Sequence, residues 1–145
     1  MSYQTWHNYG YGICTNILEG ADVSRIWALL HMAPEFEAKV LAEFGEAELA
    51  ELTTEDFREL ECSGCYGIAS IMEEVIREAE NISLCACDDY DCNHYLLYMP
   101  SYPWNLRQNE QTLTEEDIRV IFVKYVNILT DKVLDVEYQS VENGG

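Results

Sequence analysis

A run of five apolar residues, Tyr95-Leu96-Leu97-Tyr98-Met99, constrains the fold of this chain most strongly. Side chains on a strand alternate between the two faces of a sheet, so a strand that is apolar on both faces suits a central position. The residues from Ile82 to Cys87 are also typical of a strand, and the polar segment from Asp88 to Asn93 connects the two. The pattern therefore predicts a hairpin whose second strand lies inside a sheet.

Two further strands are predicted near the ends of the chain. Between Tyr3 and Ile13 the residues alternate, and the face opposite the aromatic side chains contains Gly10 and Gly12. Two glycines on one strand face indicate the close approach of another backbone, or a twisted edge. The last strand is predicted from about Val133 to Val141, and Asn143-Gly144-Gly145 after it is expected to be a flexible tail.

Helices are predicted wherever apolar residues recur with a helical period, and the clearest runs from about Gly67 to Glu80. Gly45 is a typical helix stop. The other predicted helix starts are Asp22, Pro34, Thr53-Thr54 and Thr114. The length of 145 residues suits a single domain. We therefore expect one α+β domain over residues 1–145, with about four mostly antiparallel strands and about five helices.

Acidic residues greatly outnumber basic ones. The chain has 27 Asp and Glu residues against 8 Lys and Arg, so its formal net charge is −19. Because like charges repel, direct binding to nucleic acid or to an anionic membrane is disfavoured, and a basic partner protein is favoured. High solubility is the alternative explanation of the charge. No long apolar segment or secretion signal is present, which predicts a cytoplasmic protein of a bacterial or host cell.

Two acidic segments are predicted to contact the partner. Residues 35–61 contain ten acidic side chains against two basic ones, and residues 73–91 contain seven against one. Two aromatic residues of the proline-flanked loop after residue 100 are also predicted to contact the partner, because Tyr and Trp are common at interface centres. The predicted contact residues are Glu46, Glu48, Glu51, Glu55, Asp56, Glu59, Asp88, Asp89, Asp91, Tyr102 and Trp104.

The cysteines suggest an alternative function, a structural zinc site. Without an export signal they are expected to be thiols or metal ligands rather than disulfides. Cys62 and Cys65 form a C-x-x-C pair, an arrangement that delivers two of the four ligands of a tetrahedral zinc ion. The other ligands would come from Cys85, Cys87, Cys92 and His94. Equally, free cysteines are small apolar residues that bury readily in a core.

A thiol-dependent enzyme is the third alternative, because the C-x-x-C pair precedes a helix whose dipole would lower a thiol pKa. A thioredoxin-like site needs a strand immediately before the pair, whereas residues 55–61 are predicted to be helical. A calcium loop is excluded, since His94 and Pro100 stand where such a loop needs Gly and Glu. With no hydrolase, phosphate-binding or dinucleotide motif present, the chain is expected to be non-catalytic and to have no cofactor other than the possible zinc.

In its size, its acidic charge and its lack of catalytic motifs, the chain resembles small acidic proteins of phages and mobile elements. Anti-CRISPR proteins that mimic nucleic acid are the best-known kind. The resemblance covers the whole chain in charge and size and includes no residue-level motif. It implies an inhibitor that occupies the cationic groove of a host nuclease. Of the three alternatives, the preferred prediction is therefore that the protein occludes a basic, nucleic-acid-binding partner by mimicking the charge of nucleic acid.

Overall fold

A computed structural model of the protein describes residues 5–46, 48–64, 66–99 and 113–144. Within these ranges, four antiparallel strands form one sheet in the order β2-β3-β1-β4. The strands are β1 (Thr5–Cys14), β2 (Cys85–Asp88), β3 (His94–Tyr98) and β4 (Glu137–Gly144). The α-helices are α1 (Val23–Leu30), α2 (Pro34–Phe44), α3 (Thr54–Arg58), α4 (Ile68–Glu80) and α5 (Glu115–Leu129). Short 3₁₀ helices occupy Asn16–Gly20 and Leu49–Glu51. The predicted α+β fold is confirmed.

Local sequence signals set most of the helix ends. Pro34 occupies the first turn of α2, and Gly45, at φ +58°, follows its last residue. At the start of α5, Thr114 Oγ1 accepts a hydrogen bond from the Asp117 N–H at 3.2 Å, and the Asp117 carboxylate accepts one from the Thr114 N–H at 3.0 Å. This reciprocal pair satisfies two N–H groups that lie beyond the intrahelical ladder.

The main core lies between the helices and one face of the sheet. Helix α4 packs on β2 and β3, and α5 packs on β1. Ile13 and Leu96 from the two interior strands are fully buried. So are five large apolar side chains of α4, namely Ile68, Ile71, Met72, Val75 and Ile76. Strand β3 lies between β2 and β1, so its predicted central position is confirmed.

The opposite face of the sheet is concave. Strands β2 and β4 are the two edges, yet Cα atoms of these strands approach within 8 Å. In a flat sheet, strands separated by two others would lie about 14 Å apart, so the sheet must curl. The concave face encloses a small second cluster of Cys87, Leu97 and Val141.

The close pairing of β1 with β3 depends on the two glycines of β1. A Cβ on Gly12 would lie 2.0 Å from the Leu96 carbonyl oxygen, and one on Gly10 would lie 2.9 Å from that of Tyr98. The predicted close approach of another backbone is therefore confirmed, and β1 is an interior strand rather than a twisted edge.

The C-terminal strand differs from its prediction. It spans Glu137–Gly144, and Asn143 and Gly144 pair with Trp6 and Thr5 of β1. These two residues are thus part of the sheet rather than of a flexible tail, because a backbone ladder needs no apolar side chain. Gly145 lies outside the described residues. Among the helices that the structure describes, none combines the length and the apolar character needed to cross a membrane.

Candidate functional site

Six of the predicted contact residues lie in one closed segment, residues 44–60, which we call the acidic loop. The chain leaves the end of α2 and returns to it, since the Glu43 carboxylate accepts hydrogen bonds from the N–H groups of Glu61 (2.9 Å) and Cys62 (2.8 Å). Loops whose ends meet in this way form compact units packed by their own side chains. The predicted contact residues in the acidic loop are Glu46, Glu48, Glu51, Glu55, Asp56 and Glu59.

The second half of the acidic loop is anchored to the core. Phe57 is fully buried and meets Trp27 and Phe44 edge to face, with ring centroids 5.3 and 5.2 Å away. The Thr54 hydroxyl donates a hydrogen bond of 2.7 Å to the Ala21 carbonyl oxygen. These contacts fix the backbone around α3, whereas Glu46, Glu48 and Glu51 lie on the exposed first half of the loop.

The acids of the loop differ in their partners. Asp56 caps α3, because its carboxylate accepts hydrogen bonds from the Thr53 N–H (2.8 Å) and hydroxyl (3.2 Å). Glu55 pairs with Arg58. The side chains of the remaining four are exposed and form no hydrogen bond or ion pair among the described residues, and we call them the free carboxylates. They are Glu46, Glu48, Glu51 and Glu59.

The second predicted patch lies on a separate element, the β2–β3 hairpin, and has a different role. Asp89 accepts hydrogen bonds from the N–H groups of Asp91 (2.9 Å) and Asn93 (2.9 Å) and from the Tyr95 hydroxyl (3.2 Å). Burial raises the pKa of Asp89, but these bonds outweigh it and hold the pKa below its ordinary value. Asp89 therefore shapes the turn, while Asp91 is exposed and Asp88 is half-buried. Tyr102 and Trp104 lie outside the described residues.

Most basic side chains of the described residues are already neutralised. Lys39 and Lys132 lack an acidic partner within these ranges, whereas five other cations are ion-paired. The free carboxylates therefore have no cation held against them. The pairs are Arg25–Asp131, Arg58–Glu55, Arg77–Glu74, Arg119–Glu116 and Lys124–Glu80.

The predicted zinc ligands do not form a cluster in the described part of the chain. There, no three His, Cys, Asp or Glu side chains lie close enough to hold a metal ion. His94 instead pairs with Glu19, Nδ1 to Oε1 at 3.1 Å, and Cys92 is exposed. Cys85 and Cys87 share one face of β2, as predicted. Because Cys65 lies outside the described residues, the zinc site stays a prediction.

Cys62 has the environment of a structural thiol. Burial, together with the hydrogen bond and negative charge of Glu43, raises its pKa to about 11. A thiol with so high a pKa is almost entirely protonated at neutral pH, and the thiolate is the nucleophilic form. This environment gives no support to Cys62 as a catalytic nucleophile.

Sequence reasoning missed a group of acids that cap distant backbone groups. The Glu78 carboxylate accepts hydrogen bonds from the N–H groups of Glu35 (3.0 Å) and Phe36 (2.9 Å) at the start of α2, and Glu19 accepts one from the Ile68 N–H (3.2 Å). Helices α2 and α4 begin after Ala33 and Gly67, which have no capping side chain. The lack of a capping side chain at these two positions could have indicated that the cap comes from elsewhere in the chain. It could not identify which acidic residue supplies it.

Comparison of the chain with protein-family models, curated proteins and solved structures finds no match. The function is therefore argued from the geometry of this chain alone. The feature that stands out is a closed loop whose free carboxylates have no structural task among the described residues.

Proposed function

We propose that the protein binds a basic partner protein through the acidic loop and covers the partner's nucleic-acid-binding surface without catalysing a reaction. The observation that carries the proposal is the presence of the four free carboxylates on a loop that Glu43 closes at its base and that packs on the core at α3. Anchoring matters because a pre-ordered surface loses less conformational entropy on binding than a flexible acidic tail would.

The charge distribution supports a cationic partner. Most described cations are paired with acids, so the field above the acidic loop comes mainly from carboxylates, and the whole chain has a net charge of −19. Such a field attracts a basic groove, increases the association rate and weakens as salt is added. A nucleic-acid-binding groove is the kind of surface that is built to accept closely spaced negative charges.

The proposal differs from the solubility explanation in one respect, because solubility depends on total charge and binding depends on where the charge lies. The test therefore compares two variants with the same change in net charge. The loop variant combines Glu46→Gln, Glu48→Gln and Glu51→Gln. The matched control combines Asp135→Asn, Glu137→Gln and Glu142→Gln, which are exposed acids outside the loop.

The measurement is affinity capture from a lysate of the source or host cell, with elution by rising salt and by competing duplex DNA. We expect the wild type to retain a nucleic-acid-binding protein that both treatments release. The loop variant should retain about tenfold less of it, a difference of about 1.4 kcal/mol, and the control variant should match the wild type. Equal retention by the two variants, or a captured protein that duplex DNA does not release, would overturn the proposal.

A further inference from the structure

Sulfur atoms are concentrated on the concave face of the sheet. Cys85 and Cys87 lie on this face of β2, and Met99, just after β3, packs against the same cluster. Cys14 lies on the same face of β1, opposite Tyr95 in the register. These side chains come from three strand segments that share one face of the sheet.

Cys85 and Cys87 form the closest pair within this group. Alternate residues of a strand have Cα atoms about 6.6 Å apart and point to the same side. The Cys87 thiol is a hydrogen-bonding neighbour of the Cys85 sulfur, so the two sulfur atoms lie close together. Cys87 is only 6% exposed, while Cys85 is half-buried. The exposed part of Cys85 gives the pair its access to solvent.

The number and the chemical type of the donor atoms determine which class of metal ion fits this pair. A zinc site needs four tetrahedral ligands, and the described residues do not supply a third His, Cys, Asp or Glu beside the pair. Thiolate and thioether sulfur are soft donors that select Cu(I), and two thiolates complete the linear coordination of a monovalent d¹⁰ cation. The strong negative charge of the chain also favours a cation over an anionic electrophile.

We propose that Cys85 and Cys87 bind one soft monovalent cation of the Cu(I) class. Binding breaks two S–H bonds, forms two metal–sulfur bonds and releases two protons to solvent. The oxidation state of the metal does not change, so no oxidant or reductant takes part in the step. The site is independent of the acidic loop and of the function proposed for it.

The test uses the purified full chain and Cu(I), kept reduced by ascorbate without oxygen, in competition with a chromophoric Cu(I) chelator. Two variants that each remove two thiols are compared. Cys85→Ser with Cys87→Ser should weaken Cu(I) binding about a hundredfold or more, because both ligands are lost. Cys62→Ser with Cys92→Ser should bind like the wild type. Equal losses in the two variants, or a loss only in the second, would overturn the site.

A measurement on the wild type tests the proposal even if one of the variants fails to fold. X-ray absorption spectroscopy of the chain loaded with one equivalent of Cu(I) should show two sulfur neighbours and no nitrogen or oxygen. A first shell that contains nitrogen or oxygen would contradict the proposal. So would Zn(II) that displaces Cu(I) at equal concentration.

Discussion

The absence of a side chain at Gly12 is the tightest constraint at the scale of single residues. The Leu96 carbonyl oxygen occupies the space that a Cβ would need, at 2.0 Å, and both groups belong to interior strands that cannot move apart without loss of the ladder. Backbone atoms cannot rotate out of the way as a flexible side chain can.

We therefore predict that Gly12→Ala lowers the free energy of unfolding by about 2 kcal/mol or more, through overpacking between β1 and β3. Chemical denaturation of the two proteins measures the difference. Gly20→Ala is the matched control, because no heavy atom lies within 4 Å of its added Cβ, and its effect should stay within about 0.5 kcal/mol. Equal effects of the two substitutions would contradict the close approach of β3 to Gly12.

Acidic residues that look alike in the sequence have distinct tasks at this scale. Glu43 closes the acidic loop, Glu78 caps α2, and Glu46 contacts no described polar partner. A local sequence window does not separate these tasks, because the groups that Glu43 and Glu78 bind lie 18 and 42 positions away along the chain.

At the scale of elements, Glu43 couples α2 to the end of the acidic loop. Burial raises the pKa of Glu43, but the hydrogen bonds from the Glu61 and Cys62 backbones and from the Cys62 thiol hold it below its ordinary value. A carboxyl whose pKa is lower in the folded chain stabilises the fold fully above its unfolded pKa. That stabilisation is lost as the pH falls through the folded pKa.

We predict that Glu43→Gln lowers the free energy of unfolding by about 1 kcal/mol near neutral pH. The difference from the wild type should disappear as the pH falls from about 5 to about 3, because the wild-type carboxylate becomes protonated. Urea denaturation across this range is the measurement. The control is Glu59→Gln, which removes a free carboxylate and should change the free energy at neutral pH by less than about 0.5 kcal/mol. A difference that grows at low pH would contradict the assigned role of Glu43.

Helix α5 depends on its first turn. Thr114 and Asp117 exchange hydrogen bonds there, and the helix then buries Ile118, Phe122 and Tyr125 in the main core. We predict that Thr114→Ala lowers the free energy of unfolding by about 1 kcal/mol, since the Asp117 N–H loses its acceptor. Thr114→Ser keeps the hydroxyl and should recover most of the lost stability. Thermal unfolding of the three proteins measures the difference. An equal loss in Thr114→Ser would show that the methyl group, rather than the cap, is responsible.

At the scale of the whole molecule, stability should depend on salt through the net charge of −19. Raising the salt from about 0.01 M to about 0.1 M shortens the screening length from about 30 Å to about 10 Å. We predict that the free energy of unfolding rises by about 0.5 kcal/mol or more over this range, because repulsion between uncompensated acids is screened.

The loop variant of Glu46, Glu48 and Glu51 is the control for this prediction, because it has less repulsion to screen and should show a smaller rise. Surface ion pairs such as Arg25–Asp131 are screened too and act in the opposite direction. Stability that falls with added salt would mean that such pairs outweigh the repulsion.

Much of the fold was predictable because its signals are local. Pro34, Gly45 and Thr114 mark helix ends through backbone geometry and short-range hydrogen bonds, and the apolar run at Tyr95–Met99 indicated an interior strand. The boundary of β4 was not predictable, because Asn143 and Gly144 join the sheet by backbone pairing alone. The candidate site was predicted only in part. The sequence identified the acidic residues, but it could not show that their loop is closed, because closure depends on contacts between Glu43 and the distant residues Glu61 and Cys62.

The sequence by itself determined the α+β class, the helix starts and the large excess of negative charge, because each depends on composition or on residues within one or two turns. Only the tertiary structure decided which carboxylates are free and which cap a helix, and which thiols share a face. It also decided that the sheet curls over Leu97. These outcomes depend on groups far apart in the chain, whose proximity is set by packing rather than by local preference.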